Sequence, residues 1–159
     1  ILRGVKSLVG KRLADSKRIV LLGGSFGGYM TAWLIGHSKI FRAAVAHAPV
    51  VNNVSMWGTT DIPDFMEWSF KGTPFTTVKH LARCTTPTLV LVGEKDVRVP
   101  IGQAQELYQT LRTAGAKTAL VVFPREGHGI GEPLHWIDYV RRSLDWFKSH
   151  LGRSAPSAK

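Results

Sequence analysis

The sequence predicts an α/β fold in which about four parallel strands are flanked by helices. Three observations predict it. Short unbroken apolar runs alternate with longer amphipathic stretches, as in sheets buried on both faces. Gly or Pro punctuates the ends of those runs. A glycine-rich turn, Gly23-Gly24-Ser25-Phe26-Gly27-Gly28, joins the first run to a helical stretch.

In chain order, Ile1, Leu2, Val5, Leu8, Val9 and Leu13 recur at helical spacing, which predicts an amphipathic helix over residues 1–14, broken by Asp15-Ser16. Arg18–Leu22 is the first strand candidate and runs into Gly23-Gly24. Tyr29–Ile35 reads as helix. Ala43–Ala48 is the second strand, stopped by Pro49, and Thr88–Val92 is the third, closed by Gly93. Ile101–Ala114 places Ala104, Leu107, Tyr108 and Leu111 on one helical face, with Gly115 as its C-terminal cap. Lys117–Phe123 is the fourth strand. Pro133–Leu151 is the clearest helix, with Ile137, Val140, Leu144, Phe147 and Leu151 as its stripe. Residues 51–86 break the alternation. They hold Trp57, Phe65, Met66, Trp68, Phe70 and Phe75 among Gly and Pro, and read as an irregular excursion with one or two short helices. Core packing is the expected role of Trp68 and Phe70. Residues 152–159 are small and polar and read as a frayed tail, which leaves residues 1–151 as the domain.

The composition excludes several classes. With 159 residues, 44% hydrophobic and 20% charged, the chain has enough apolar material for a single core. No apolar run approaches the ~18 residues a membrane span needs, so no membrane partner is expected. The formal charge is +10, but its Lys and Arg are spread along the chain without a basic block or interleaved aromatics. A solvated basic surface is the reading, not nucleic-acid binding. One cysteine, Cys84, excludes an internal disulfide framework and a Cys-rich zinc site. It fits a reducing compartment, and a cytoplasmic location is the expectation. The chain starts at Ile1 rather than Met and reads as a fragment or processed piece of a longer chain.

The chemistry centres on Ser25. A Gly-x-Ser-x-Gly turn between strand and helix strains its central residue and crowds its neighbours, so Gly24 and Gly27 are expected to need the absence of Cβ. The turn lifts the hydroxyl above the sheet edge and aims a helix N-terminus at a developing oxyanion. Neither the Gly-Lys-Ser/Thr of a phosphate loop nor a dinucleotide fingerprint is present. A serine needs a base, and the base an orienting acid. In this type of fold they follow as Asp or Glu, then His, each just after a later strand. Asp96 follows the third strand and His128 the fourth, the latter in a mobile, uncrowded loop between Gly127 and Gly129. Glu94 is the alternative acid. Asp61 and Asp64 have no strand immediately before them, and Asp138 and Asp145 lie solvated on the last helix. His47 reads as a packed core or edge residue, and His37, His80, His135 and His150 as surface residues. No metal-ligand spacing occurs, and Cys84 lacks the turn a nucleophile needs.

Four separated motifs, Gly23-Gly24-Ser25-Phe26-Gly27-Gly28-Tyr29-Met30, Ala46-His47-Ala48-Pro49-Val50, Gly93-Glu94-Lys95-Asp96-Val97-Arg98-Val99-Pro100 and Glu126-Gly127-His128-Gly129, together resemble the catalytic domain of the prolyl oligopeptidase family, in its acylaminoacyl-peptidase and dipeptidyl-peptidase branch. The resemblance covers about residues 1–151 and implies the C-terminal half of an α/β-hydrolase. It implies a Ser25, Asp96, His128 triad, an oxyanion donor at the backbone N–H of Phe26, and a substrate-carbonyl role for Arg98, whose alternative is a loop salt bridge. Val50 and Val99 match positions of the primary specificity pocket, with Met56 and Trp57 completing its wall. No cofactor is implied. The partners implied are a peptide or ester substrate, the N-terminal half of the domain with a second oxyanion donor, and in many members a β-propeller; an oligomer is compatible with it. No aromatic lies among Val51-Asn52-Asn53-Val54, so proline selectivity is not implied, and the segment between Phe70 and Pro87 is short for the family. Three functions stand at this point: a serine peptidase acting through an acyl-enzyme, a serine esterase with the same triad, and an inactive fragment acting as a binding module.

Overall fold

A computed structural model describes residues 1–69, 71–72 and 76–152, without the side chains of residues 67 and 69. Its centre is a four-stranded parallel sheet in the order β1 (Val20–Gly24), β2 (Ala43–His47), β3 (Thr88–Gly93), β4 (Thr118–Phe123). Every residue of β3 and all of β2 except His47 are buried, whereas β1 and β4 at the margins are mostly half-buried. That gradient explains why the two central strands read as continuous apolar runs: both of their faces are covered.

The pleat divides the central strands between two cores. Ala44, Ala46, Val90 and Val92 face α2 (Phe26–His37) and α6 (Ile101–Thr113), where they meet Ala32, Leu34, Ile35, Ala104, Leu107 and Leu111. Val45, Leu89 and Leu91 face the opposite way, toward Phe123 and toward Tyr139, Trp146 and Phe147 of α7 (Pro133–Leu151). α2 is buried along Tyr29, Thr31, Ala32, Leu34 and Ile35, which fits its nearly unbroken apolar sequence.

Several element boundaries differ from those the pattern predicts. α1 spans Leu2–Gly10 and stops short of residue 14, because Arg12 takes a left-handed φ of 58° that ends the helical path. β1 lies two residues later than the apolar run, since its pairing with β2 extends through Gly23↔Ala46 and Gly24↔His47. Among its described residues the excursion holds three short helices: α3 (Asn53–Trp57), α4 (Pro63–Ser69) and α5 (Val78–Leu81). α3 is capped by Asn52, whose side-chain oxygen accepts from the N–H groups of Val54 and Ser55. The tail predicted at 152–159 lies outside the described residues apart from Gly152, as does Phe70. Among the described residues no helix is long and apolar enough to cross a membrane.

All four strands end on one edge. Ser25, Asp96 and His128 follow β1, β3 and β4 within five residues of each strand's last position, the place where open α/β sheets hold their ligands.

Candidate active site

Ser25 sits at the turn between β1 and α2 with φ 58° and ψ −120°, a conformation L-residues rarely take. Its N–H donates to the His47 carbonyl at 2.9 Å, which locks the turn onto the neighbouring strand. Serine at a helix N-cap usually bonds back to its own helix. Here the Ser25 side chain makes no such bond, and its Oγ lies 3.0 Å from His128 Nε2 instead.

The glycines that the turn requires are not the pair expected. A Cβ on Gly23 would stand 2.2 Å from the Gly27 carbonyl oxygen, and one on Gly28 would stand 2.7 Å from the His47 oxygen. Gly27 has open space where its Cβ would be, and Gly24 meets His47 Nδ1 at 3.2 Å. The crowding falls one residue to either side of the Gly24–Gly27 frame, because the turn brings the end of β1 against the carbonyl that Thr31 Oγ1 also bonds, at 2.8 Å.

Asp96 and His128 complete a chain of contacts. The Asp96 side chain is fully buried, and its Oδ1 accepts from the N–H groups of Arg98 at 3.0 Å and Val99 at 2.8 Å. Its Oδ2 lies 3.0 Å from His128 Nδ1. A carboxylate only accepts, so Nδ1 carries the proton and Nε2 presents its lone pair to the Ser25 hydroxyl. The two loops are brought together by bare backbone. A Cβ on Gly93 would stand 2.1 Å from the Gly127 oxygen and 2.5 Å from the Glu126 oxygen, and Lys95 N–H donates to that Glu126 oxygen at 2.8 Å.

The rivals lie elsewhere. Glu94 accepts from the Arg125 N–H at 2.9 Å. Asp61 holds Arg98, Asp138 holds Arg141 and Arg142, and Cys84 is buried, its thiol pushed up by desolvation. His47, expected in the core or at an edge, ends β2 with its ring 6.4 Å from that of His128. Burial, and then the nearby His128, lower its basicity. His135, expected at the surface, is largely covered and paired with Glu126 at 2.9 Å.

A cavity of about 390 Å³ opens beside Ser25 and His128. Val50, Val99 and Met56 line it, each at most 2% exposed, and Phe26 and Arg98 reach it as well. Trp57 does not. α3 turns Met56 inward, and its next residue, about 100° further round, points to solvent and is 57% exposed. Ile62, Phe65, Met66 and Trp68 supply that side of the wall. Trp68, expected to pack in the core, is 76% exposed and borders the cavity instead. Arg98 does form the alternative loop salt bridge: its Nε and one terminal nitrogen clasp both oxygens of Asp61 at 2.6 and 3.2 Å, while the side chain still borders the cavity.

Sequence reasoning missed Gln103. Its buried amide oxygen accepts from Val51 N–H and Asn52 N–H, both at 2.9 Å, and its nitrogen donates to Asn52 O and Ser55 Oγ. It moors the strand-to-α3 segment, and with it Val50 and Met56, to α6. A lone Gln on a helix carries no local signal of such a partner fifty residues away.

Residues 1–154 match the prolyl oligopeptidase family. The chain belongs to that family. Among its relatives, the chain is 36% identical to the uncharacterized peptidase YuxL of Bacillus subtilis, over 86% of this chain and 23% of the relative. It is 32% identical to the human acylamino-acid-releasing enzyme, over 87% of this chain and 21% of the relative. In fold it is similar to an acylaminoacyl peptidase of Pyrococcus horikoshii, with a TM-score of 0.86 and 22% identity over 99% of this chain and 28% of that one. It is likewise similar to a puromycin-hydrolyzing peptidase of Mycobacterium tuberculosis, with a TM-score of 0.88 and 22% identity over 99% of this chain and 26% of that one. The fold is that of an α/β-hydrolase. The chain spans about a quarter or less of the length of these prolyl oligopeptidase-family relatives.

Proposed function

We propose that the chain carries the hydrolytic centre of a serine peptidase of the acylaminoacyl-peptidase type. The observation that supports it is the continuous path from Ser25 Oγ through His128, 3.0 Å at each nitrogen, to the buried Asp96 carboxylate. Ser25 attacks a substrate carbonyl, and His128 Nε2 takes the hydroxyl proton as the bond forms. His128 then protonates the departing amine, leaving an acyl-enzyme. Water repeats the sequence in reverse roles and frees Ser25. Asp96 keeps the imidazole in the tautomer that accepts at Nε2 and balances its charge once protonated. The N–H of Phe26, first residue of α2, is assigned to the oxyanion, where one such donor contributes about 10²–10³ in turnover.

The cavity walls of Val50, Val99, Met56, Ile62, Phe65 and Met66 favour an apolar side chain on the acyl half of the substrate. Arg98, clasped by Asp61, is assigned to a backbone carbonyl of the substrate. An N-blocked peptide is the substrate class, in line with the enzymes the chain resembles. The outer edge of β1, where Leu22 is 52% exposed, is the side on which the rest of the sheet and its second oxyanion donor would join. A β-propeller elsewhere in the protein and a cytoplasmic setting complete the reading.

A fluorophosphonate probe tests it. Labelling of the full chain that disappears in Ser25→Ala supports the reading. A folded protein that stays unlabelled, or labels equally in Ser25→Ala, refutes it. Comparing an acylpeptide anilide with a p-nitrophenyl ester then separates peptidase from esterase.

A further inference from the structure

We infer that Glu126 is a positioning residue for His128, its carboxylate closing the 126–132 loop so that the imidazole stays in register with Ser25 and Asp96. The inference rests on the active-site reading above. Glu126 is a buried acid, 5% exposed, and both of its oxygens turn back onto its own loop. Oε2 accepts from Gly131 N–H at 2.8 Å. Oε1 accepts from Glu132 N–H at 2.8 Å and meets His135 Nδ1 at 2.9 Å. The main chain of the same residue faces the other way, its carbonyl accepting from Lys95 N–H at 2.8 Å, one residue before Asp96. One residue thus joins the near end of the loop to its far end, and the loop to the segment that carries Asp96.

His128 lies inside the stretch so enclosed, between two glycines. Neither Gly127 nor Gly129 has any atom within 4 Å of where a Cβ would be. The mobile loop that these glycines predict is therefore tied by a side chain instead. The bonds are charge-assisted, roughly twice as strong as neutral ones. The carboxyl is held below its usual range, first by the Gly131 N–H and then by Glu132 N–H and His135, so it is anionic at neutral pH. Outside this ring, Arg125 clasps Glu132 at 2.9 and 2.7 Å, which leaves Glu126 to the amides. Glu126, Glu132 and His135 also have their ligand-type atoms within 4.8 Å of one another. Both Glu126 oxygens of that cluster accept from backbone amides of the loop.

The position of a base governs rate more than affinity: a displacement of about 1 Å can cost on the order of 10²-fold. Glu126→Gln sets an amide N–H against a backbone N–H and removes the charge. Glu126→Asp keeps the charge but withdraws the oxygens by one methylene. In the full chain, each is expected to lower kcat about 10- to 100-fold on an acylpeptide anilide with KM changed less than about threefold. Each is also expected to broaden the low-field proton NMR signal of the His128 Nδ1–H bonded to Asp96, a readout that loosening elsewhere in the fold would leave alone. If Glu126→Gln does not fold, Glu126→Asp decides. A folded variant with wild-type kcat and an unchanged low-field signal overturns the inference. Failure of a fluorophosphonate probe to label Ser25 in the wild type overturns the active-site reading and this inference with it. Wild-type labelling that proceeds equally fast in both Glu126 variants overturns the inference alone.

Discussion

Gly93→Ala is expected to separate Asp96 from His128 without touching either. The added Cβ would stand 2.1 Å from Gly127 O, 2.5 Å from Glu126 O and 2.8 Å from Glu126 C, where ordinary contact begins at 3.4 Å. The obstructing atoms are all backbone, so no rotamer change relieves them. The φ of Gly93 lies outside the left-handed region, so alanine suffers no strain of its own there and the whole effect is steric. The His128 loop must retreat by about 1 Å or more, and the 3.0 Å contacts at both imidazole nitrogens lengthen out of hydrogen-bond range. Overpacking of this kind costs about 1–3 kcal/mol of stability, and, on the proposed function, the displaced imidazole about 10²-fold in kcat. Gly129→Ala, on the same loop with open space at its Cβ position, is the matched comparison and is expected to keep kcat within about threefold. The assay is steady-state hydrolysis of a p-nitrophenyl ester beside a thermal melt of each variant. A folded Gly93→Ala with wild-type kcat would refute the argument that bare backbone contact sets the spacing of the Asp96 and His128 loops.

Three further outcomes follow from the same packing. Gly23→Ala drives a Cβ to 2.2 Å from the Gly27 oxygen and 2.8 Å from Thr31 Oγ1, so fluorophosphonate labelling of Ser25 should slow by at least about 10²-fold; labelling at the wild-type rate would contradict it. Gln103→Leu leaves the N–H groups of Val51 and Asn52 without their acceptor, at roughly 1–3 kcal/mol for the buried Val51 N–H and less for the half-buried Asn52 N–H, measurable by urea unfolding. Because Val50 and Met56 lose their mooring, KM should rise more than kcat falls. Glu126 has a depressed carboxyl, so its contribution to stability is complete above the unfolded value of about 4.3 and is lost as pH falls through the lower folded value. Glu126→Gln should accordingly flatten the decline of the urea midpoint below about pH 4.3, and an unchanged slope would count against it.

How much of this was legible in the sequence depended on the range of the contacts. The strands were legible because β2 and β3 are buried on both faces, which forces an uninterrupted apolar run that needs no knowledge of partners. Ser25, Asp96 and His128 were legible because a parallel sheet aligns its strand ends, so a residue's distance past its strand already says which edge it occupies. The cavity wall was not. Met56 and Trp57 are adjacent in the chain and opposite in exposure, and only the rotation of α3, set by the Asn52 cap and the Gln103 amide, decides which one faces the site. The glycines failed in an instructive way. Gly93 was visible as the end of a strand, but its reason is the backbone of Glu126 and Gly127 on the neighbouring strand's loop. The same contact explains Glu126, which enters the sequence analysis only as part of the Glu126-Gly127-His128-Gly129 motif. Once two bare backbones touch at Gly93, the loop beyond needs something other than bulk to hold it, and a buried carboxylate facing two amide N–H groups supplies it. A motif of the form Glu-Gly-His-Gly therefore makes physical sense as a unit: the glycines leave the room, and the acid removes the freedom they would otherwise give.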